Sequence, residues 1–329
     1  MKFCFLLYVR SLLFKIPGRS MEKVSNKRSR CRTILRFVAT GGLLLAWSGI
    51  VCRGKDSWAV PEVIYYATPW LLRGLAGLLA VVVLRHWGLR LMAVTCLLVS
   101  GMEGWHSFHL DTRPAMPAGA MQAAIYNTGR TLESTPEAWP VLAETDVTAV
   151  VEVGDFTDEK WAEFSAATAG MEWQRFGGTM LGVRGKILSW ESLGIWNFYK
   201  CYRCRVSLPR HGEFTVVVVD IDSQPWKSRE KTMAGILAAT GGDPKAIVLG
   251  DFNTPPENRW CREWHSSLSL ANDSPHRGFR ETWCYGIPLL TLDQIWYGKG
   301  WQASWHEHSR HGSDHSRMKA VLAPAGDSR

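Results

Sequence analysis

The sequence predicts an α-helical membrane region followed by an α/β domain. Three observations support this prediction. Residues 37–52 contain no charged side chain, the 36 residues before them are rich in Lys and Arg, and short β-rich runs alternate with helical stretches from residue 122 onwards. We expect a basic cytoplasmic tail (1–36), a membrane region of about three helices (37–105), a linker (106–121), the α/β domain (122–323) and a short tail (324–329).

The composition excludes a disordered or collagen-like chain, because 46% of the 329 residues are hydrophobic and only 21% are charged. The net charge of +8 is unevenly distributed. Residues 1–110 hold 15 Lys and Arg against 4 Asp and Glu, whereas residues 111–329 hold 23 against 26. The basic character therefore belongs to the N-terminal third and does not indicate a nucleic-acid-binding C-terminal domain.

Three apolar stretches are candidates for membrane spans. The first, 37–52, reaches the roughly 20 residues that span a bilayer when it is extended back to Thr33. The second runs from Val63 to Leu84 and is interrupted by Pro69 and Arg73. The third, Leu91–Met102, is short and needs flanking residues. One true span with buried helices of a soluble fold is the alternative.

Basic residues predict the orientation of these spans. The tail before residue 37 carries ten Lys and Arg against Glu22 alone, so we expect it to stay in the cytoplasm. The turn that contains Arg85 and Arg90 is expected on the same side. Three spans then predict a multi-pass membrane protein whose C-terminal domain is extracytoplasmic, whereas two spans would return that domain to the cytoplasm.

Short strands and helices alternate in the α/β domain. Residues 123–127, 148–153, 213–221 and 246–253 are β-rich, and residues 134–144, 157–168 and 228–242 are typical of helices. About 200 residues are enough to bury one layered core. The sequence therefore predicts a single α/β domain here.

Polar residues collect at the ends of the predicted strands. They follow four strands and precede two others: Asn127, Glu152, Asp220, Asp251 and Asn253 come after, and Asp293, Asp314 and His315 come before. If the last two strands run antiparallel to the others, all these groups lie at one edge. Carboxylates gathered there repel one another unless a cation binds between them. The residues alone thus predict a carboxylate–amide–imidazole site.

Two motifs give this site a family resemblance. Gly250-Asp251-Phe252-Asn253 follows an apolar strand, and Ser313-Asp314-His315 precedes the final one; together they resemble the signatures of the endonuclease/exonuclease/phosphatase superfamily. Asn127 in IYNTG, Glu152 in VVEVG and Asp293 in LDQIW match its other motifs. The resemblance covers about residues 122–323. It implies a four-layer α/β/β/α sandwich that hydrolyses phosphate esters with Mg²⁺ or Mn²⁺.

The resemblance also implies a role for each matching residue. Asp251 would orient or deprotonate the attacking water, and Asn253 would hold the water or a phosphate oxygen from an extended strand end. His315 would hydrogen-bond the phosphoryl group, with Asp293 fixing its tautomer and charge. The remaining implied roles are phosphate or metal positioning for Asn127 and metal binding for Glu152 and Asp314.

Asp220 departs from the family pattern, in which His or sometimes Tyr stands at this position. An ionised Asp cannot donate a hydrogen bond to phosphate. Three interpretations remain open: Asp220 is an extra metal ligand, it pairs with a nearby arginine such as Arg229, or the site has lost its normal activity. Arg229 itself resembles a recurrent family arginine, with a solvated helix residue as the alternative.

These observations predict a membrane-anchored, metal-dependent phosphohydrolase that cleaves phosphodiester or phosphomonoester bonds. Its expected partners are the lipid bilayer and a phosphate-ester substrate, for which a lipid-linked phosphate is the leading candidate. Nucleic acid is less favoured because the domain lacks a basic character. The alternatives are a catalytically inactive membrane-bound binding module and a nuclease.

Overall fold

The structure, a computed structural model, describes residues 21–55, 59–194 and 200–326. Four helices form the N-terminal region: α1 (Met21–Cys52), α2 (Ala59–Ala67), α3 (Trp70–Val83) and α4 (Trp87–Ser107). Among the described helices, one stretch, Ser29–Cys52, is long and apolar enough by itself to cross a membrane. Helices α2 and α3 reach that standard only if they are counted together as one bent span.

Helices α1, α3 and α4 pack as an antiparallel bundle. Gly42 of α1 lies against Ala76 of α3, and Gly77 of α3 lies against Ala93 of α4. The bundle interior consists mostly of small side chains, namely Ala39, Leu43, Ala46, Ala80, Leu84, Ala93 and Cys96. Small residues at these crossings let the helix backbones approach closely.

The second predicted apolar helix is broken. A single helix from Val63 to Leu84 is wrong, because α2 and α3 meet at an angle of 71°. Pro69 lies at the break, with φ −60° and ψ 159°. Proline disfavours the helical conformation of the residue before it, which explains why α2 ends at Ala67.

Residues 106–121 were predicted to be a linker. The first five of them are instead part of a helix and a strand. Helix α4 runs to Ser107 and passes directly into strand β1 (Phe108–Leu110). This strand pairs antiparallel with β11 (Arg277–Phe279), and the rings of Phe108 and Phe279 lie 4.8 Å apart. The end of α4 is therefore fixed to the α/β domain.

Two six-stranded sheets form the body of the α/β domain. The first sheet consists, in spatial order, of β13 (Trp301–Ser309), β14 (Arg317–Pro324), β2 (Met121–Asn127), β3 (Val147–Val151), β5 (Thr179–Val183) and β4 (Glu172–Arg175). The second consists of β10 (Leu268–Leu270), β12 (Asp293–Gly298), β9 (Ile247–Asp251), β8 (Gly212–Asp220), β7 (Lys200–Leu208) and β6 (Lys186–Ser192).

Apolar side chains from both sheets pack face to face. Ile125 and Val151 contribute from the first sheet, and Val216 and Leu249 contribute from the second. Separate clusters cover the outer faces, beneath α5 (Trp139–Leu142) and α6 (Asp158–Ala167) on one side and α7 (Glu230–Ala239) and α8 (Arg259–Trp264) on the other. The predicted four-layer sandwich is confirmed.

Strand direction brings the predicted site residues together. Strand β8 runs parallel to β9 and places Asp220 beside Asp251, whereas β12 runs antiparallel to β9 and places Asp293 beside Asp251. Strand β14 likewise runs antiparallel to β2, which ends at Asn127. The expectation that the last strands reverse direction, and so bring their N-terminal ends to the same edge, is confirmed.

Candidate active site

Asp251 lies at the centre of the site and is fully buried. The side-chain amide of Asn127 donates a hydrogen bond of 2.8 Å to Asp251 Oδ2 and one of 3.3 Å to Glu152 Oε1. Burial, followed by the neighbouring charge of Asp293, raises the pKa of Asp251 to about 7. A carboxylate with this pKa can take up a proton near neutral pH, as a general base must.

Two site residues have left-handed backbone conformations. Asn253 has φ 44° and Glu152 has φ 48°, a region that non-glycine residues seldom occupy. The expected extended conformation of Asn253 is therefore wrong, yet its backbone N–H still donates to Asp251 Oδ1 at 2.7 Å. Its side-chain amide donates to Ile221 O at 2.7 Å and to Asp251 Oδ2 at 3.1 Å, so the turn itself directs Asn253 toward Asp251.

Gly250 precedes Asp251 at a position where no side chain can be accommodated. A Cβ atom there would lie 1.8 Å from the carbonyl oxygen of Val219. Phe252 on the other side is buried, with its ring 5.6 Å from that of Trp264. The glycine and the phenylalanine of the motif thus pack the strand end, while Asp251 and Asn253 provide its chemistry.

His315 and Asp293 form a buried pair. The ring Nδ1 of His315 lies 2.7 Å from Asp293 Oδ2, and its Nε2 lies 4.0 Å from Asp251 Oδ2. Burial lowers the pKa of His315, but the charges of Asp293 and Asp251 and the hydrogen bond to Asp293 outweigh it and raise the pKa to about 10. His315 is therefore cationic at neutral pH and can donate from Nε2.

Asp220 lies beside the centre, with its carboxylate 4.0 Å from the ammonium of Lys200. The predicted alternative of a pair with Arg229 is wrong. Burial raises the pKa of Asp220 to about 7 although Lys200 opposes this shift. A fraction of Asp220 consequently carries a proton at neutral pH, and a protonated carboxyl can donate a hydrogen bond as His or Tyr would.

Arg229 is fully buried, so the solvated alternative is wrong. Its guanidinium donates to Asp222 O and to Asn253 O, both at 2.9 Å. Its Nε lies 3.5 Å from the carboxylate of Glu62, which belongs to α2 and is itself only 3% exposed. Sequence reasoning missed Glu62; the signal was a single acidic residue within the apolar stretch 59–67.

Asp314 points toward a side chain that the motifs did not indicate. The indole of Trp283 donates to Asp314 Oδ2 at 3.1 Å. The neighbouring hydroxyl of Thr282 accepts a hydrogen bond of 3.0 Å from the backbone N–H of Asp293. Residues 282–283 therefore support two site carboxylates, although no sequence motif marks them.

The carboxylates of this site suit a divalent cation. One ligand atom each from Asp251, Asp293 and His315 lie within 4.8 Å of one another, but a cationic His315 cannot ligate a metal, which leaves the carboxylates. Asp293 Oδ1 is buried and has no hydrogen-bond partner among the described residues. Glu152 shares the amide of Asn127 with Asp251, which brings a second carboxylate alongside. Carboxylate oxygens are the ligands that Mg²⁺ prefers. The close group contains none of the three predicted metal ligands, Glu152, Asp220 and Asp314.

Comparison with known proteins supports the resemblance. The family profile described as "Endonuclease/Exonuclease/phosphatase family" matches residues 132–315, more than half of the chain. No curated protein sequence matches the chain.

Solved structures with a similar fold share little sequence identity with this chain. An endonuclease/exonuclease/phosphatase family protein from Bacteroides thetaiotaomicron is 15% identical, with a TM-score of 0.49 over 62% of this chain and 97% of that one. A 3′ phosphatase from Neisseria, bound to a product DNA hairpin, is 16% identical, with a TM-score of 0.48 over 61% and 98% of the two chains. Truncated Caenorhabditis elegans TDP2 is 13% identical, with a TM-score of 0.44 over 62% and 97%.

Proposed function

Since the chain belongs to the endonuclease/exonuclease/phosphatase family of phosphoester hydrolases, we propose that it is a metal-dependent phosphohydrolase anchored in a membrane. One observation carries the catalytic part of this proposal. A buried carboxylate with a raised pKa, Asp251, lies 4.0 Å from the free nitrogen of a cationic His315. A base and a hydrogen-bond donor thus lie side by side.

Asp251 accepts the proton of the attacking water. With a pKa of about 7, a large fraction of Asp251 is ionised at neutral pH, and the ionised carboxylate is basic enough to accept a proton. Asn127 and Asn253 donate hydrogen bonds to its oxygens and so fix the orientation of the carboxylate. Arg229 holds the carbonyl of Asn253, which keeps this turn in place.

His315 donates a hydrogen bond from Nε2 to a phosphoryl oxygen as charge develops there. Asp293 holds the opposite ring nitrogen and compensates the positive charge. Asp220, in its protonated form, is a second donor toward the phosphate. These contacts position the ester and stabilise its negative charge, which is most of what phosphoryl transfer requires of a protein.

Glu152 would hold the divalent cation, with Asn127 hydrogen-bonded to its carboxylate. Mg²⁺ or Mn²⁺ bound there would neutralise negative charge on the phosphate. Metal binding by Asp314 stays a prediction. The assignment of Asp220 as a direct ligand stays a prediction.

The surface of the helical bundle supports the membrane part of the proposal. Large apolar side chains cover its outside, whereas small ones fill its inside. Leu78 is 54% exposed, Val82 is 72% exposed and Leu98 is 64% exposed. A soluble bundle would bury such side chains, but lipid solvates them.

The proposed topology has three spans, although among the described helices only α1, and α2 with α3 counted as one bent span, are long and apolar enough to cross a membrane. Gly104 of α4 lies against Trp70 of α3, so the C-terminal end of α4 and the N-terminal end of α3 lie together, next to the α/β domain. Arg85 and Arg90, between α3 and α4, consequently lie at the opposite end of the bundle. A cytoplasmic position for these arginines puts the catalytic domain outside the cytoplasm. A C-terminal reporter that is active only outside the cytoplasm should be active, and a reporter active only inside would contradict this topology.

A lipid-linked phosphate or phospholipid head group is the favoured substrate class, because the anchor holds the site near the bilayer and the domain has no net positive charge. The decisive experiment uses the full chain in nanodiscs and measures hydrolysis of phosphomonoesters, phosphodiesters and DNA, with Mg²⁺, with Mn²⁺ and with a chelator. We expect cation-dependent release of phosphate or of an alcohol. If no substrate class is cleaved while the folded chain still binds one of them, the inactive binding module replaces the enzyme.

A further inference from the structure

A cavity of about 680 Å³ lies between the helical bundle and the α/β domain. Three helices contribute to its helical wall. Arg53 lies just after α1, Trp70 and Arg73 lie in the first turn of α3, and Glu103 lies near the end of α4. Its other wall belongs to loops of the α/β domain. This volume is in the range of small-molecule pockets. All three helix ends that face the α/β domain therefore meet at this cavity.

The helical wall carries unbalanced positive charge. Arg53 and Arg73 both pair with one carboxylate, that of Glu103. Arg73 is 1% exposed, and its Nε and Nη1 have no hydrogen-bond partner among the described residues. A buried guanidinium with two unpaired donors is costly, and the shared carboxylate of Glu103 offsets only part of that cost. This wall is suited to a phosphate oxygen.

The domain wall carries unbalanced negative charge. Arg280 pairs with both Glu257 and Asp273. Glu281 receives hydrogen bonds from the indole of Trp70, at 2.7 Å, and from the hydroxyl of Ser107. Both of these donors are neutral, so they leave the charge of Glu281 in place. This wall is suited to an ammonium group.

We propose that the cavity binds the head group of a zwitterionic phospholipid, an amine joined to a phosphate, with the phosphate at Arg73 and the ammonium at Glu281. A bilayer that surrounds α1, α3 and α4 ends near this level, because the cavity is lined by the domain-facing ends of the helices. The proposal rests on the membrane anchoring proposed above. The cavity is separate from the catalytic residues, so the bound lipid holds the domain on the bilayer and is not the hydrolysed substrate.

The test is native mass spectrometry of the full chain in detergent, titrated with short-chain phosphatidylethanolamine, phosphatidylglycerol and phosphatidic acid. Phosphatidylethanolamine should bind at least about tenfold more tightly than the other two, which lack the ammonium group. Free phosphoethanolamine, in a separate titration, measures what the head group contributes without the acyl chains.

Arg73→Gln and Glu281→Gln should each weaken phosphatidylethanolamine binding by about tenfold. Arg85→Gln, at the other end of the bundle, and Glu263→Gln, on the exposed face of α8, are the matched controls. If Arg73→Gln does not fold, Glu281→Gln alone decides. Equal binding of the three lipids, or unchanged binding in the Glu281 variant, overturns the proposal. Phosphate-ester hydrolysis by the same samples tests the catalytic proposal separately, since neither wall contains a catalytic residue.

Discussion

The helical bundle exposes many more large apolar side chains than the α/β domain does. In the bundle, Ala46 and Ala80 are inside, and leucines such as Leu78 are outside. In the α/β domain, Leu249 and Val218 are fully buried. Leucine is therefore often exposed on the bundle and mostly buried in the domain. The proposed membrane anchoring predicts this difference, with lipid around the bundle and water around the domain.

The two regions meet at polar contacts. Glu62 of α2 pairs with Arg229, and Arg229 holds the carbonyl of Asn253. A helix of the N-terminal region therefore balances the charge of the arginine that holds the loop of Asn253. Through this pair, α2 connects the two regions.

The largest effect is expected within the α/β domain, at the catalytic centre. Asp251→Asn should lower turnover by roughly 10²- to 10⁴-fold, because it removes the base and leaves the packing unchanged. Steady-state hydrolysis by the full chain is the measurement, with circular dichroism as the check on folding. Glu213→Gln, an exposed change at the other end of the strand that carries Asp220, is the control. Near-normal turnover in the Asp251 variant would remove it from the mechanism.

The second prediction concerns the contact between the two regions. Glu62→Ala should cost about 3–5 kcal/mol of stability, because it leaves the guanidinium of Arg229 buried without its carboxylate. A fragment of residues 112–329 lacks Glu62 and should show the same loss of stability. Thermal unfolding in detergent measures the loss, and kcat should fall more than KM rises, since Arg229 holds Asn253.

Glu62→Gln tests the role of charge at this contact. It keeps the shape of the side chain and removes its negative charge, so it should retain part of the stability but not the full kcat. If Glu62→Ala unfolds at the same temperature as the wild type and keeps its kcat, the two regions are energetically independent.

The third prediction contrasts two exposed leucines. Leu78→Lys on α3 should cost about 2.5–3.5 kcal/mol of insertion free energy if the bundle faces lipid. Leu188→Lys on β6, where the leucine is 49% exposed, should change stability by no more than about 0.5 kcal/mol. Membrane retention after alkaline extraction measures the first effect, and thermal unfolding measures the second. If Leu78→Lys is retained in the membrane as fully as the wild type, the bundle does not face lipid at this position.

The smallest effect concerns the pH dependence of stability. Burial raises the pKa of Asp220 from 3.8 to about 7, so the folded state holds its proton more tightly than the unfolded state. Stability therefore falls as pH rises between these two values and levels off above them. Asp220→Asn, which does not titrate, should flatten this slope when both proteins are unfolded by urea in the presence of a chelator. An unchanged slope would show that Asp220 ionises normally.

A magnesium titration of activity separates the remaining interpretations of Asp220. If Asp220 acts as a phosphate donor, Asp220→His should keep activity and leave the dependence on Mg²⁺ unchanged. If Asp220 binds the cation directly, Asp220→Ala should shift the dependence to higher Mg²⁺ concentrations.

Much of the candidate site could be predicted from the sequence, because its residues lie at strand ends, and the arrangement of the strands brings those ends together. Asn127, Asp251 and Asp293 each lie at the end of a β-rich run, and the reversal of two strands is enough to bring them together. The left-handed turn at Asn253 could not be predicted from the sequence. Its side chain donates a hydrogen bond to the carbonyl of Ile221, which is 32 residues away in the chain.

Contacts between the two regions were also beyond prediction. The sequence places Glu62 in an apolar stretch and Arg229 at the start of a helix, 167 residues later, with no periodicity to relate them. The bend at Pro69 was visible as a proline, but its angle of 71° was not. Local patterns therefore predicted the elements and their chemistry, and long-range packing decided the partners.

The direct passage from α4 into β1 has a consequence for how substrates reach the catalytic site. A free linker of about 16 residues would let the domain sweep a distance of roughly 20–24 Å from its anchor. Pairing of β1 with β11 removes that freedom and fixes the catalytic edge at one distance from the helices. With the helices in a bilayer, the enzyme scans a thin layer of constant height as it diffuses laterally. Reach would then select among phosphate esters before any side chain does.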